Sequence, residues 1–166
     1  MAEARMPIDP PSLREAGLRA LLWLLLGGWV GVWLFFALVV APTAFRVLPS
    51  TEVAGGLIRP VLAALHLYGG GAGIALAALA WRLGRSHPAV WLPLAMSALC
   101  LFSQLGVSAE IEEIRELAFG PGGSVEIAAR FHLLHRLSMG IYTAVGVAGL
   151  VLVAIHARAD ARPGAR

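Results

Sequence analysis

The sequence predicts an all-α integral membrane protein, a four-helix bundle with both its N and C termini cytoplasmic. Three observations carry that prediction. The first is composition: of 166 residues 58% are hydrophobic and 14% charged, with a mean hydropathy of +0.77, outside the range of soluble globular domains. The second is four apolar runs, about 18–41, 57–81, 90–107 and 137–157, each close to the roughly 20 residues that cross about 30 Å of hydrocarbon. They show no period-2 alternation, so they read as helices, the form in which a lipid-embedded segment satisfies its own backbone. The third is charge placement. Arg5, Arg14, Arg19, Arg82, Arg85, Arg158, Arg162 and Arg166 flank one side, whereas Arg46, Arg59, Arg115, Arg130 and Arg136 share the other with Glu52, Glu110, Glu112, Glu113, Glu116 and Glu126. The positive-inside bias then places both termini in the cytoplasm.

These features also bound the partners. The lipid bilayer is the expected surrounding, and the basic pI of about 10.0 comes from the inner side, where it suits anionic lipid heads and implies no nucleic acid. A homo-oligomer or a membrane partner is the remaining option, since small-residue strips lie along several helices. The first apolar run is longer than a signal-peptide core and follows a polar start, so it reads as a retained span. The lone Cys100 cannot form an internal disulfide. The expected organisation is a polar tail 1–12, a four-span domain 13–158 and a polar tail 159–166.

In chain order, Ser12-Leu13-Arg14-Glu15 has capping-box spacing, which starts helix one near Leu13, and Pro42 is expected to stop it after Ala41. Gly27-x-x-x-Gly31 offers a flat strip, and Trp23, Trp29 and Trp33 read as lipid- or interface-facing. Pro49-Ser50-Thr51-Glu52 reads as a turn and helix start. Helix two then runs from Thr51 to Arg82 with a kink before Pro60, and Gly69, Gly70, Gly71, Gly73 and Ala77 are its small contact positions. A short basic loop containing His87 leads to helix three, which begins near Ala89, carries Ser103 and Gln104, and turns acidic over 108–117 before Gly120-Pro121-Gly122-Gly123 breaks it. Ser124 is the expected N-cap of helix four, with Glu126 in its first turn. The tight turn makes helices three and four antiparallel, with Glu113 level with Arg130, Ile111 with His132 and Ser108 with His135. Gly140, Ala144 and Ala148 form a further small-residue strip.

Two separated motifs resemble one family. Trp33-Leu34-Phe35-Phe36-Ala37, Ala41-Pro42-Thr43-Ala44-Phe45-Arg46-Val47-Leu48 and Ala54-Gly55-Gly56-Leu57 are similar to the first half of the transmembrane protein 205-like family, whose bacterial members carry an uncharacterised domain numbered 4149. Val107-Ser108-Ala109-Glu110-Ile111-Glu112-Glu113-Ile114-Arg115 resembles a second family stretch, which has Pro where Ala109 stands. The pattern of Phe131, His135 and Ser138 opens helix four in the same way, with departures at Arg136, where the pattern has Gly, and at Tyr142, where it has Asn. The resemblance implies a four-helix membrane fold and no agreed biochemical activity; the expected location is the bacterial inner (cytoplasmic) membrane, as a multi-pass protein.

Polar groups at membrane depth are expensive and usually face the bundle interior or a water-filled pocket. The outer mouth is therefore the candidate site: His66, Gln104, Ser108, Glu110, Glu113, Arg115, Arg130, His132, His135 and Ser138. His132, His135, Arg136 and Met139 share one face of helix four. The simplest reading is an interhelical network that sets register, with Glu113 on Arg130 and His135 on Ser108 or a backbone carbonyl. A divalent metal on His132 and His135 with Glu110 or Glu113 is a second reading. A b-type haem held by His66 and His135 is a third. Neither cofactor is favoured, because no Glu-x-x-His motif is present and one histidine on each of two helices is a weak signal. His156 reads as an interface residue.

Catalysis has little support. Ser138 lies one turn from His135, but no suitably spaced acid or oxyanion loop accompanies them, and phosphate-binding, dinucleotide and zinc-cysteine motifs are missing. The expectation is a non-enzymatic protein that binds or passes a small solute or ion at its outer mouth, with a redox protein or a structural subunit as alternatives.

Overall fold

A computed structural model describes residues 12–161; the polar tail up to residue 11 and the end of the C-terminal tail lie outside the described residues. Four helices make up the described residues: α1 Leu13–Val47, α2 Thr51–Arg82, α3 His87–Phe119 and α4 Val125–Ala161. Each is long and apolar enough to cross a membrane. There is no strand among the described residues.

Local chemistry explains most of the boundaries. Ser12 and Ser50 cap α1 and α2, each hydroxyl accepting a backbone N–H, from Glu15 and from Val53, at 3.2 Å. Gly84 and Gly122 take positive φ values of 62° and 81°, which let the turns before α3 and α4 reverse tightly. α3 begins at His87, two residues before the expected start, with Pro88 in its first turn, where a missing N–H costs nothing.

Pro42 does not stop α1. The helix widens into a π turn over Phe36–Val40, in which Ala41 N–H reaches back to the Phe36 carbonyl, and Pro42 falls in the first turn of the helical segment Ala41–Val47. A proline there lacks only a donor that the first turn leaves unused, so the helix continues beyond it. A second π turn, Ser103–Ser108, marks where α3 changes from apolar to acidic. α2 is helical through Pro60.

Each helix packs on its chain neighbours in a closed ring, α1 on α2, α2 on α3, α3 on α4 and α4 on α1, the up-down-up-down arrangement that short connections favour. The α2–α3 contact is the tightest. A Cβ at Gly73 would lie 2.5 Å from the Pro93 carbonyl, one at Gly70 2.8 Å from Leu101, and one at Gly69 2.9 Å from Cys100 Sγ. Ser97 Oγ donates to the Gly70 carbonyl at 2.6 Å. Gly71, Gly27, Gly31 and Gly140 meet nothing within 4 Å; of the α2 glycines, Gly69, Gly70 and Gly73 are spent inside the bundle, and the α1 strip is open.

Two of the tryptophans depart from the expected lipid-facing placement. Trp29 and Trp33 are each 2% exposed and sit in the core with Leu22, Leu26, Leu76 and Met96. The glycines make room for them: Trp29 lies against Gly69 and Trp33 against Gly146. Trp23 is half-buried near the end of the bundle that carries residues 12 and 161, called the terminal end below; the opposite end is the hairpin end.

Candidate functional site

At the hairpin end, α3 runs about twelve residues past its apolar stretch, or about 18 Å at 1.5 Å per residue, and α4 matches it. This extension brings charge onto facing helices. Arg59 of α2 reaches Glu112 of α3, its Nη1 lying 3.3 and 3.1 Å from the two carboxylate oxygens. Arg115 adds a longer pairing to Glu112 at 3.7 Å, and Arg130 of α4 pairs with Glu110 across the hairpin. The sequence register set Arg130 level with Glu113; the pair forms with the acid about one turn deeper. Exposed pairs of this kind contribute about 0–1 kcal/mol each, so they orient side chains more than they stabilise the bundle.

Between α2 and α3 these groups border an open cleft of about 390 Å³, lined by Glu52, Arg59, Glu112, Glu113, Arg115 and Glu116. Four carboxylates face two guanidiniums. Glu112 takes both arginines, and Glu52, Glu113 and Glu116 have no arginine partner among the described residues. Of the residues singled out in the sequence, Glu113 and Arg115 line this cleft, and Glu110 and Arg130 stand beside it. Glu52, Arg59, Glu112 and Glu116 complete it. Glu52 and Arg59 are seven residues apart, two turns along one helical face, and that spacing was the available signal.

The remaining predicted residues lie elsewhere. His132 and His135 are exposed on α4. The His135 ring is parallel to Phe131 at 6.3 Å, and His132 meets Phe119 and Phe131 edge-on at 5.9 and 5.8 Å. Gln104 and Ser108 are half-buried, and Ser138 is buried. His66 is fully enclosed, its ring edge-on to Trp33 at 5.7 Å, and neither ring nitrogen has a hydrogen-bond partner. The donor sets proposed from sequence therefore do not converge. Glu110 is engaged by Arg130 and both exposed imidazoles rest on phenyl rings, and no three His, Cys, Asp or Glu side chains are grouped to hold a metal among the described residues. His66 is sealed inside while His135 faces outward, so the pair does not fit a haem.

A second polar centre, at the terminal end, is not legible from sequence. Asp160 of α4 accepts from Trp23 Nε1 at 2.8 Å and pairs with Arg85, while Arg19 lies 3.5 Å away. Its partners are 75 to 137 residues away in the chain for the two side-chain hydrogen bonds, a distance at which no local pattern signals contact.

A separate, apolar gap lies elsewhere in the bundle. The gap among α1, α3 and α4, lined by Trp29, Val30, Trp33, Met96, Val145 and Gly149 among others, is about 10 Å³, the space of about one water.

In comparisons with known proteins, the family model described as "Domain of unknown function (DUF4149)" matches residues 24–119. That stretch takes in the motifs at 33–48, 54–57 and 107–115 and ends before α4. No curated protein and no solved structure matches.

Proposed function

The chain belongs to the DUF4149 family, whose model covers residues 24–119 of its 166, and from that premise we propose that this multi-pass helical membrane protein is non-enzymatic and binds a small organic cation at its hairpin-end cleft. The observation that carries this reading is the surplus of Glu52, Glu113 and Glu116 around an open cleft whose two arginines are both held by Glu112. A concave surface lined mainly by one sign of charge concentrates counter-ions. The carboxylates are not grouped tightly enough to coordinate a bare metal ion, which favours an extended, ammonium-bearing solute. Binding is favoured over passage because the bundle interior is an apolar core that includes Trp29, Trp33, Leu76, Met96 and Val145, a costly path for a cation.

The arginine excess at the terminal end supports an orientation in which both termini are cytoplasmic. The cleft then faces the outside of a bacterial inner membrane.

The test is calorimetry of the detergent-purified protein with spermidine as the probe. Binding that weakens with salt and is lost in the Glu113→Gln, Glu116→Gln double variant is expected. Equal binding by wild type and double variant would sink the reading. A structural subunit is the second reading, and the open Gly27 and Gly31 face of α1 favours it. A partner that co-purifies with wild type and is lost in Gly27→Leu would support it.

A further inference from the structure

The terminal end of the bundle is tied by one carboxylate. Asp160, near the end of α4, accepts from Trp23 of α1 at 2.8 Å, pairs with Arg85 of the α2–α3 turn, and lies 3.5 Å from Arg19 of α1, which itself pairs with Glu15 at 2.5 Å. Three separate segments thus meet on a single side chain. One turn earlier on α4, His156 is fully enclosed, its ring edge-on to Trp23 at 6.4 Å.

The groups under this knot are poorly satisfied. Both ring nitrogens of His156, Nε of Arg19 and Nε of Arg85 are buried without a hydrogen-bond partner. Buried polar atoms are nearly always paired in native proteins, and an unpaired one is costly. Opening this end would let water reach all four, which offsets part of the loss when the Asp160 contacts break. His66 is likewise buried with both ring nitrogens unpaired, but the contacts that enclose it are of another kind. The α2–α3 contact is set by backbone packed on glycine, and α1 is held to α4 by paired hydrogen bonds between Trp33 and Tyr142.

We propose that Asp160 is a latch: it holds α1, the α2–α3 turn and α4 closed over His156, and its release opens the terminal end locally while the rest of the bundle stays packed. The arrangement differs from a plain structural staple in two respects. All of its ties end on one group, so a change at that group frees three segments together. The state it holds closed also carries buried, unpaired polar atoms, whose hydration on opening lowers the cost of release. The latch is independent of the cleft at the hairpin end.

The experiment uses the full chain in lipid nanodiscs, with diethyl pyrocarbonate as a probe of imidazole access and peptide mass spectrometry as the readout. In wild type, His132 and His135 should be modified quickly, and His66 and His156 should be protected. In Asp160→Asn, His156 should be modified roughly tenfold faster, with His66 still protected. Trp23→Phe, which removes one donor and keeps an aromatic ring at that position, should give a smaller increase at His156. Unchanged protection of His156 in Asp160→Asn would overturn the latch. So would joint exposure of His66 and His156 in both variants, because the opening would then be global.

Discussion

Trp33 and Tyr142 each donate a hydrogen bond to the other's backbone carbonyl: Trp33 Nε1 to Tyr142 O at 3.0 Å and Tyr142 Oη to Trp33 O at 2.5 Å. Their rings stack with centroids 4.5 Å apart and planes 12° from parallel. Both residues are buried, so neither polar atom has water as an alternative. Tyr142 thus fastens α4 to α1. Tyr142→Phe keeps the stack and should cost about 1 kcal/mol, whereas Trp33→Ala should cost about 3–5 kcal/mol. A double-mutant cycle read by reversible unfolding in mixed detergent should give a coupling of about 0.5 kcal/mol or more. Additive effects would mean that the two residues act separately.

The glycines of α2 separate sharply by what faces them. At Gly73 a Cβ would meet the Pro93 carbonyl, a backbone atom that cannot turn aside, at 2.5 Å, and at Gly71 it would meet nothing within 4 Å. Gly73→Ala should therefore destabilise by about 1–3 kcal/mol. Gly71→Ala should be neutral or stabilise by up to about 1 kcal/mol, through helix propensity. The same unfolding assay checks both, and equal effects would contradict the α2–α3 packing.

The contrast shows what the sequence can carry. Apolar length and turn residues fixed four helices, and Ser12 and Ser50 marked two starts. Pro42 misled because the π turn that admits it depends on hydrogen-bond register, which residue type does not encode. Gly27 and Gly71 carry the same local signal as Gly73, and only the neighbouring helix decides which is spent. At the hairpin end, the acidic tail of α3 and the bases of α4 were readable as facing surfaces. The pairing of Arg130 with Glu110 depends on a rotation of about one turn, beyond what counting from a loop resolves. The Asp160 centre was silent because its partners come from three distant segments.

Orientation has a direct check. Cys100 is fully buried, so an introduced cysteine reports alone. Ser124→Cys, in the hairpin turn, should react with a membrane-impermeant maleimide added to intact spheroplasts. Ser86→Cys, an exposed position at the start of α3, should react only after permeabilisation. The reverse pattern would place the arginine-rich end outside, against the positive-inside bias.

Arg59 tests the charge logic of the cleft. Its guanidinium lies 3.1 Å from Glu112 Oε2, and the two side chains are 37% and 60% exposed, so Arg59→Gln should change stability by less than about 1 kcal/mol. Its effect on binding should be larger and opposite in sense to the loss expected of the glutamate variants. Removing one of the two cations frees Glu112 in part and leaves four carboxylates against Arg115 alone, so spermidine affinity should rise several-fold at low salt. The gain should shrink as ionic strength rises and the Debye length falls below about 10 Å. If the variant binds spermidine more weakly than wild type, the surplus of carboxylates does not set the affinity and the charge reading of the cleft fails.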